Sequence, residues 1–109
     1  MPLSNKEWDD IKSVADYYAR SGDHRVHLLN RQMVQLTSEL GEVADALIGA
    51  TGANERKGFT HSYEEVADEL GDIALTAIMT LFYCADDPEL VIRDTLAKYI
   101  NRIEIQKGD

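Results

Sequence analysis

LNRQMVQLTSELGEVADAL, residues 29–47, is the stretch on which the fold turns. Its apolar residues Leu29, Met33, Leu36, Leu40, Val43 and Leu47 recur at alternating steps of four and three. At about 100° per residue that rhythm gathers them into one narrow stripe, as in a helix packed along a seam. Nowhere does a β-branched run alternate with polar residues, and proline occurs only at positions 2 and 88, so the reading extends to an all-α fold.

Working outward, the helix spans roughly His24 to Ala50. The stretch Gly49 to His61 follows, with three glycines and the basic pair Arg56-Lys57, and reads as a loop joining two antiparallel helices. Ser62 is placed to cap the next helix, with Glu65 in the capping-box position, and Val66, Leu70, Ile73, Ala77 and Leu81 face one way as far as Cys84. Upstream, a first helix from Ser4, with Glu7 three residues on, runs to about Arg20 and is ended by Ser21-Gly22-Asp23. Downstream, Asp86-Asp87-Pro88-Glu89 breaks the third helix and starts a fourth, to about Ile105. The expectation is one domain, residues 1–109, resembling a four-helix bundle.

Size and charge narrow what such a domain does. The chain has 109 residues, of which 44% are hydrophobic, an ordinary globular composition. A domain this small buries only about two thirds of its unfolded surface, so association between subunits would help a thin helical fold. A net charge of -9, from 20 acidic and 11 basic residues, argues against a broad basic face for nucleic acid. An anionic ligand must be met locally, by a few cationic side chains or by a divalent cation held on carboxylates. Cys84 stands alone, which excludes an intramolecular disulfide and fits a reducing cytoplasm. The first twelve residues lack the apolar core of a signal peptide, and no apolar run is long enough to span a membrane.

An internal echo carries the chemistry. Glu39-Leu40-Gly41-Glu42-Val43-Ala44 returns 30 positions later as Glu69-Leu70-Gly71-Asp72-Ile73-Ala74. In each copy two carboxylates three apart share a helix face and border an apolar stripe, so packing the stripes together brings four carboxylates to one place. There they would repel one another and lose hydration unless a cation joined them. Oxygen-only ligands suit Mg²⁺ or Mn²⁺, and Mg²⁺ binds substrate phosphates alongside a few carboxylates. A single such pair is more often just a solvated helix face. Gly41 and Gly71 add weight, because a glycine inside a helix costs about 1 kcal/mol relative to alanine and suggests a close backbone approach. Asp45, Glu65 and Asp68 lie near the pairs and read as surface acids.

Taken together, the two motifs resemble the signature of the MazG-like, all-α nucleoside triphosphate pyrophosphohydrolase superfamily: an ExxE helix, a loop, then an ExxD helix. The resemblance covers roughly Leu28 to Arg102. It implies Mg²⁺-dependent cleavage, with Mn²⁺ as substitute, between the α and β phosphates of a nucleoside triphosphate, giving a monophosphate and pyrophosphate. It also implies a homodimer or homotetramer, metal on Glu39, Glu42, Glu69 and Asp72, and phosphate contacts from Lys98, Asn101 and Arg102, which share a face of the fourth helix. Glu42 is assigned as general base, and Lys57, with Arg56, as a further phosphate contact from the loop. Many members begin the first motif with two adjacent glutamates, whereas Ser38 precedes Glu39 here, a change that touches the surroundings of the ligands rather than the ligands.

Trp8, Tyr17 and Tyr18 are available to stack on a base but read as core residues. His24, His27 and His61 lack the spacing of a zinc or di-iron site and carry no assigned chemistry. Two rivals remain. Phosphoribosyl-ATP pyrophosphatase shares the metal logic, yet Asp72-Ile73-Ala74-Leu75 lacks the aromatic and histidine residues of its second motif. A non-catalytic helical association module would leave the two glycines unexplained.

Overall fold

Helix starts follow the side chains able to replace a missing backbone partner. In the computed structural model, which describes residues 3–22 and 24–108, Ser4 Oγ accepts from Glu7 N (3.1 Å) and Glu7 Oε1 accepts from Ser4 N (3.0 Å). This complete capping box opens α1 (Asn5–Tyr18). His24, which the sequence left without a role, opens α2 (Arg25–Thr51): its Nδ1 accepts from Val26 N at 3.2 Å. Ser62 Oγ accepts from Glu65 N at 3.1 Å to open α3 (Tyr63–Cys84). Asp87 Oδ1 accepts from Leu90 N, and Pro88 starts α4 (Pro88–Gly108). Of the Ser21-Gly22-Asp23 breaker, Asp23 lies outside the described residues.

The fold is an all-α helical bundle, with no strand among the described residues. α2 and α3 run antiparallel, α1 packs on α3, and α4 touches α3 alone. Between α2 and α3 the chain turns on Gly52, whose φ of 66° is left-handed backbone that only glycine adopts at little cost. The loop then returns across Gly49, whose carbonyl accepts from Thr60 N at 3.0 Å. A Cβ at Gly49 would collide with the side chains of Thr60 and His61, so this close approach requires glycine.

The seam between α2 and α3 departs from the expected stripes. Its buried residues on α2 are Leu28, Gln32, Glu39, Val43, Ala46, Gly49 and Ala50, with Leu36 half-buried. Met33, Leu40 and Leu47 face outward, Leu40 with 62% of its surface exposed and Met33 with 55%. On α3, Val66, Thr76, Met79 and Thr80 are buried, whereas Leu70 is 50% exposed and Ala77 is exposed. On α2 the small residues Ala46 and Ala50 are turned inward, where they pack with Val66. The larger apolar side chains are left on the outside.

A second cluster joins α1 to α3. Ile11, Ala15 and Met79 are buried together, with Trp8, Ile78, Phe82 and Tyr83 packed around them. Tyr83 Oη donates to the Ala15 carbonyl at 2.6 Å, and burial holds its phenol above the ordinary value, which keeps it a donor. Trp8 is therefore a core residue as expected, whereas Tyr17 and Tyr18 are exposed.

The protomer is open. Its radius of gyration is 17.4 Å, against about 13 Å for a compact domain of this length. It exposes 8423 Å², about 2,300 Å² more than a compact monomer of its mass. α4 explains much of this, with Leu96, Tyr99, Ile100, Ile103 and Ile105 all uncovered.

Candidate metal and phosphate site

Rolling the helix pair toward its small residues carries the carboxylates to one flank of the seam. Glu39 goes furthest in: it is 8% exposed, the one acidic side chain buried among the described residues. Its Oε1 accepts from Gln35 Nε2 (3.0 Å) and from Thr76 Oγ1 (3.2 Å). Its Oε2 is buried with no hydrogen-bond partner. A carboxylate oxygen in that position costs about 1–3 kcal/mol or more unless something absent from the protein meets it.

Glu42, Glu69 and Asp72 lie beside it, nearer the solvent. The Glu69 carboxyl is pushed above its ordinary value, first by loss of hydration against the helix pair, then by the Glu42 charge and a hydrogen bond with Glu42. The charges of Asp72 and Glu39 push it the same way. The four residues of the repeated motif therefore act on one another across the seam. Among the described residues, no three carboxylate, histidine or cysteine side chains close on one point as a finished coordination sphere.

The flank continues as a groove in both directions. On one side Glu42, Asp45, Ala46, His61, Glu65, Asp68 and Glu69 line a hollow of about 400 Å³. His61 was given no role from the sequence, yet its Nδ1 lies 2.9 Å from Thr60 Oγ1 and its Nε2 lies 3.9 Å from Glu65 Oε2. No helical spacing could have revealed it, because it reaches the groove from the loop. On the other side Tyr18, Arg31, Gln32, Gln35, Glu39, Thr76 and Met79 line a cleft of about 380 Å³. Arg31 Nη2 donates to the Tyr18 carbonyl at 3.1 Å, which ties α2 to the end of α1. One hollow is thus cationic, aromatic and amide-lined, and the other is lined mainly by carboxylates.

The basic residues expected at the phosphates are not brought there within one protomer. Lys98, Asn101 and Arg102 are exposed on α4, which packs on neither α1 nor α2. Arg102 instead lies over the Tyr99 ring, 5.2 Å from its centroid. Lys57 and Arg56 are exposed in the loop, where their backbone amides are held by Asn54. The helical glycines also differ from expectation. A Cβ at Gly41 or Gly71 would meet nothing within 4 Å, so no backbone of the same chain approaches either residue closely.

No family model, curated protein or solved structure matches the chain. The functional reading therefore rests on the residues of the groove. Among the described residues, no helix is long and apolar enough to cross a membrane.

Proposed function

We propose that this protein is a Mg²⁺-dependent nucleoside triphosphate pyrophosphohydrolase that releases a nucleoside monophosphate and pyrophosphate. The observation that carries the reading is Glu39 Oε2, a buried, unpartnered carboxylate oxygen at the head of three further carboxylates. A protein without a cation to bind gains nothing from that arrangement, and a leucine or methionine would be more stable there. Oxygen ligands alone, with no cysteine and no nearby histidine pair, favour a hard cation such as Mg²⁺ or Mn²⁺.

Glu39, Glu42, Glu69 and Asp72 would hold the metal. The chemistry a bound Mg²⁺ would supply there is charge neutralisation on the triphosphate and a more acidic water. If one of the four serves as general base instead of as a ligand it is Glu42, which is exposed and next to Glu69 and would take the attacking water's proton. The neighbouring cleft, with Tyr18 on its rim and the Gln32 and Gln35 amides in its wall, offers a stacking surface and paired donors and acceptors to a nucleobase. Such a substrate lies along the groove with its phosphates at the carboxylates.

The reading includes assembly as a homodimer or homotetramer in the cytoplasm. About 2,300 Å² of excess surface per chain is of the size obligate homo-oligomers bury. The uncovered residues are also arranged for it: Val26, Met33, Leu40 and Leu47 stand seven apart on α2, and Leu70 and Ala77 stand seven apart on α3. α4 holds Lys98, Asn101 and Arg102, which line neither hollow of their own chain and in an assembly would be offered to another subunit. Sedimentation of Leu40→Glu against the parent tests this, and an unchanged mass for the variant would count against that face.

The decisive experiment incubates the protein with ribo- and deoxyribonucleoside triphosphates and Mg²⁺ and identifies the products. Pyrophosphate plus monophosphate is expected, and Glu42→Gln and Asp72→Asn should abolish both turnover and the melting-temperature gain with Mg²⁺. Phosphate plus diphosphate would place the scissile bond elsewhere. No turnover with either metal would favour phosphoribosyl-ATP as substrate, and failure there too would leave an association module.

A further inference from the structure

Four polar side chains are drawn into the α2–α3 seam where apolar ones would be expected, and their hydrogens can be followed one at a time. Thr80 Oγ1 donates to the Thr76 carbonyl at 2.7 Å, which uses its only proton. It is therefore left to accept, and Gln32 Nε2 donates to it at 3.2 Å. Thr76 has one hydroxyl proton as well and gives it to Glu39 Oε1 at 3.2 Å. Gln35 Nε2 gives a second hydrogen bond to that same oxygen at 3.0 Å. Gln32, Thr76 and Thr80 are all buried, so water does not compete for these bonds.

The result is asymmetric. Both donors serve Oε1, and the buried Oε2 has none. A carboxylate set in the seam for stability alone would share its donors between its oxygens. We propose that Thr76 is a positioning residue, assisted by Gln35, which pins Oε1 so that Glu39 presents Oε2 alone to the metal. Gln32 and Thr80 in turn hold the backbone turn of α3 that carries Thr76. This inference rests on the metal-dependent reading above and adds to it the residue that aims the innermost ligand. The partner of a ligating carboxylate typically changes metal affinity by about 10–100-fold when it is lost.

The test uses the full chain and Mn²⁺ alone, titrated calorimetrically, with three variants. Thr76→Val exchanges the hydroxyl for a methyl of nearly the same size, Thr76→Ser retains the hydroxyl, and Gln35→Leu removes the second donor from the edge of the groove. Thr76→Val should weaken Mn²⁺ binding at least about tenfold, Gln35→Leu by less, and Thr76→Ser by no more than about threefold. Turnover by Thr76→Val should recover as Mn²⁺ is raised, which a misfolded or merely loosened seam would not allow. Melting in chelator reports any general loss of stability separately.

Equal Mn²⁺ affinity in Thr76→Val and the parent, or a serine variant as weak as the valine one, overturns the positioning role while leaving the metal site standing. A parent chain that binds no Mn²⁺ at millimolar concentration overturns the site, and the positioning role with it.

Discussion

Replacing Glu39 by methionine should make the metal-free protein more stable while ending its response to metal. Methionine fills a similar volume with no charge, so the change removes a buried carboxylate whose Oε2 has no partner. Burial of one ion costs several kcal/mol even after the surroundings relax. Against this, two hydrogen bonds to Oε1 are lost, together worth about 2–3 kcal/mol. Gln35 lies at the exposed edge and can turn to water, and the Thr76 hydroxyl can turn to a carbonyl one turn back on α3. The net expectation is a gain of about 2 kcal/mol, or about 8 °C in melting temperature for a chain of this size. Melting in chelator at fixed protein concentration measures it, with Glu39→Gln as a control that keeps the shape and supplies a donor. Repeating the scan with millimolar Mg²⁺ should raise the parent and leave Glu39→Met where it was. If Glu39→Met melts at or below the parent in chelator, the orphaned oxygen is not a cost and the argument for a cation at this position fails.

Three further outcomes follow from the same geometry. Tyr83→Phe should lower stability by about 1 kcal/mol in equilibrium unfolding, because the Ala15 carbonyl keeps its bond from Ala19 N and loses only the phenol. Gly71→Ala should add about 1 kcal/mol, since its Cβ meets open space and alanine is the better helix former; a loss of stability or of assembly would show that another chain packs there. Glu69 binds its proton more tightly folded than unfolded, so the stability it contributes is complete below its ordinary value of 4.5 and is lost as pH rises through the raised one. In chelator the melting temperature of the parent, measured relative to Glu69→Gln, should therefore fall as pH rises from the ordinary value of 4.5 through the raised one, and a flat difference would contradict the coupling to Glu42.

The helices were legible because their signals are local. Ser4 with Glu7, Ser62 with Glu65, and Asp87 with Pro88 each act within four residues, and each starts a helix where the sequence places it. The roll of α2 was not legible. That helix carries two apolar stripes, and hydrophobicity alone favours the one with the larger side chains, Met33, Leu40 and Leu47. Packing within one chain instead buried Ala46 and Ala50 against Val66, and Gly49 under the returning loop at Thr60 and His61, contacts between distant residues that no local pattern announces. For the site, spacing named Glu39, Glu42, Glu69 and Asp72 but could not say which is buried. Thr76, Gln35 and His61 reach the groove from another helix, from one turn away and from a loop, and no periodic pattern connects them.

The outward stripe on α2 also determines a handedness. Its members, Val26, Met33, Leu40 and Leu47, are spaced by seven without exception, whereas a straight helix needs about 7.2 residues for two turns. The stripe therefore drifts by about 20° with each repeat, and by about 60° from Val26 to Leu47. A straight helix laid against it would leave the row before its end. To stay in contact, a companion helix has to wind around α2 as a left-handed supercoil, crossing it at about 20°.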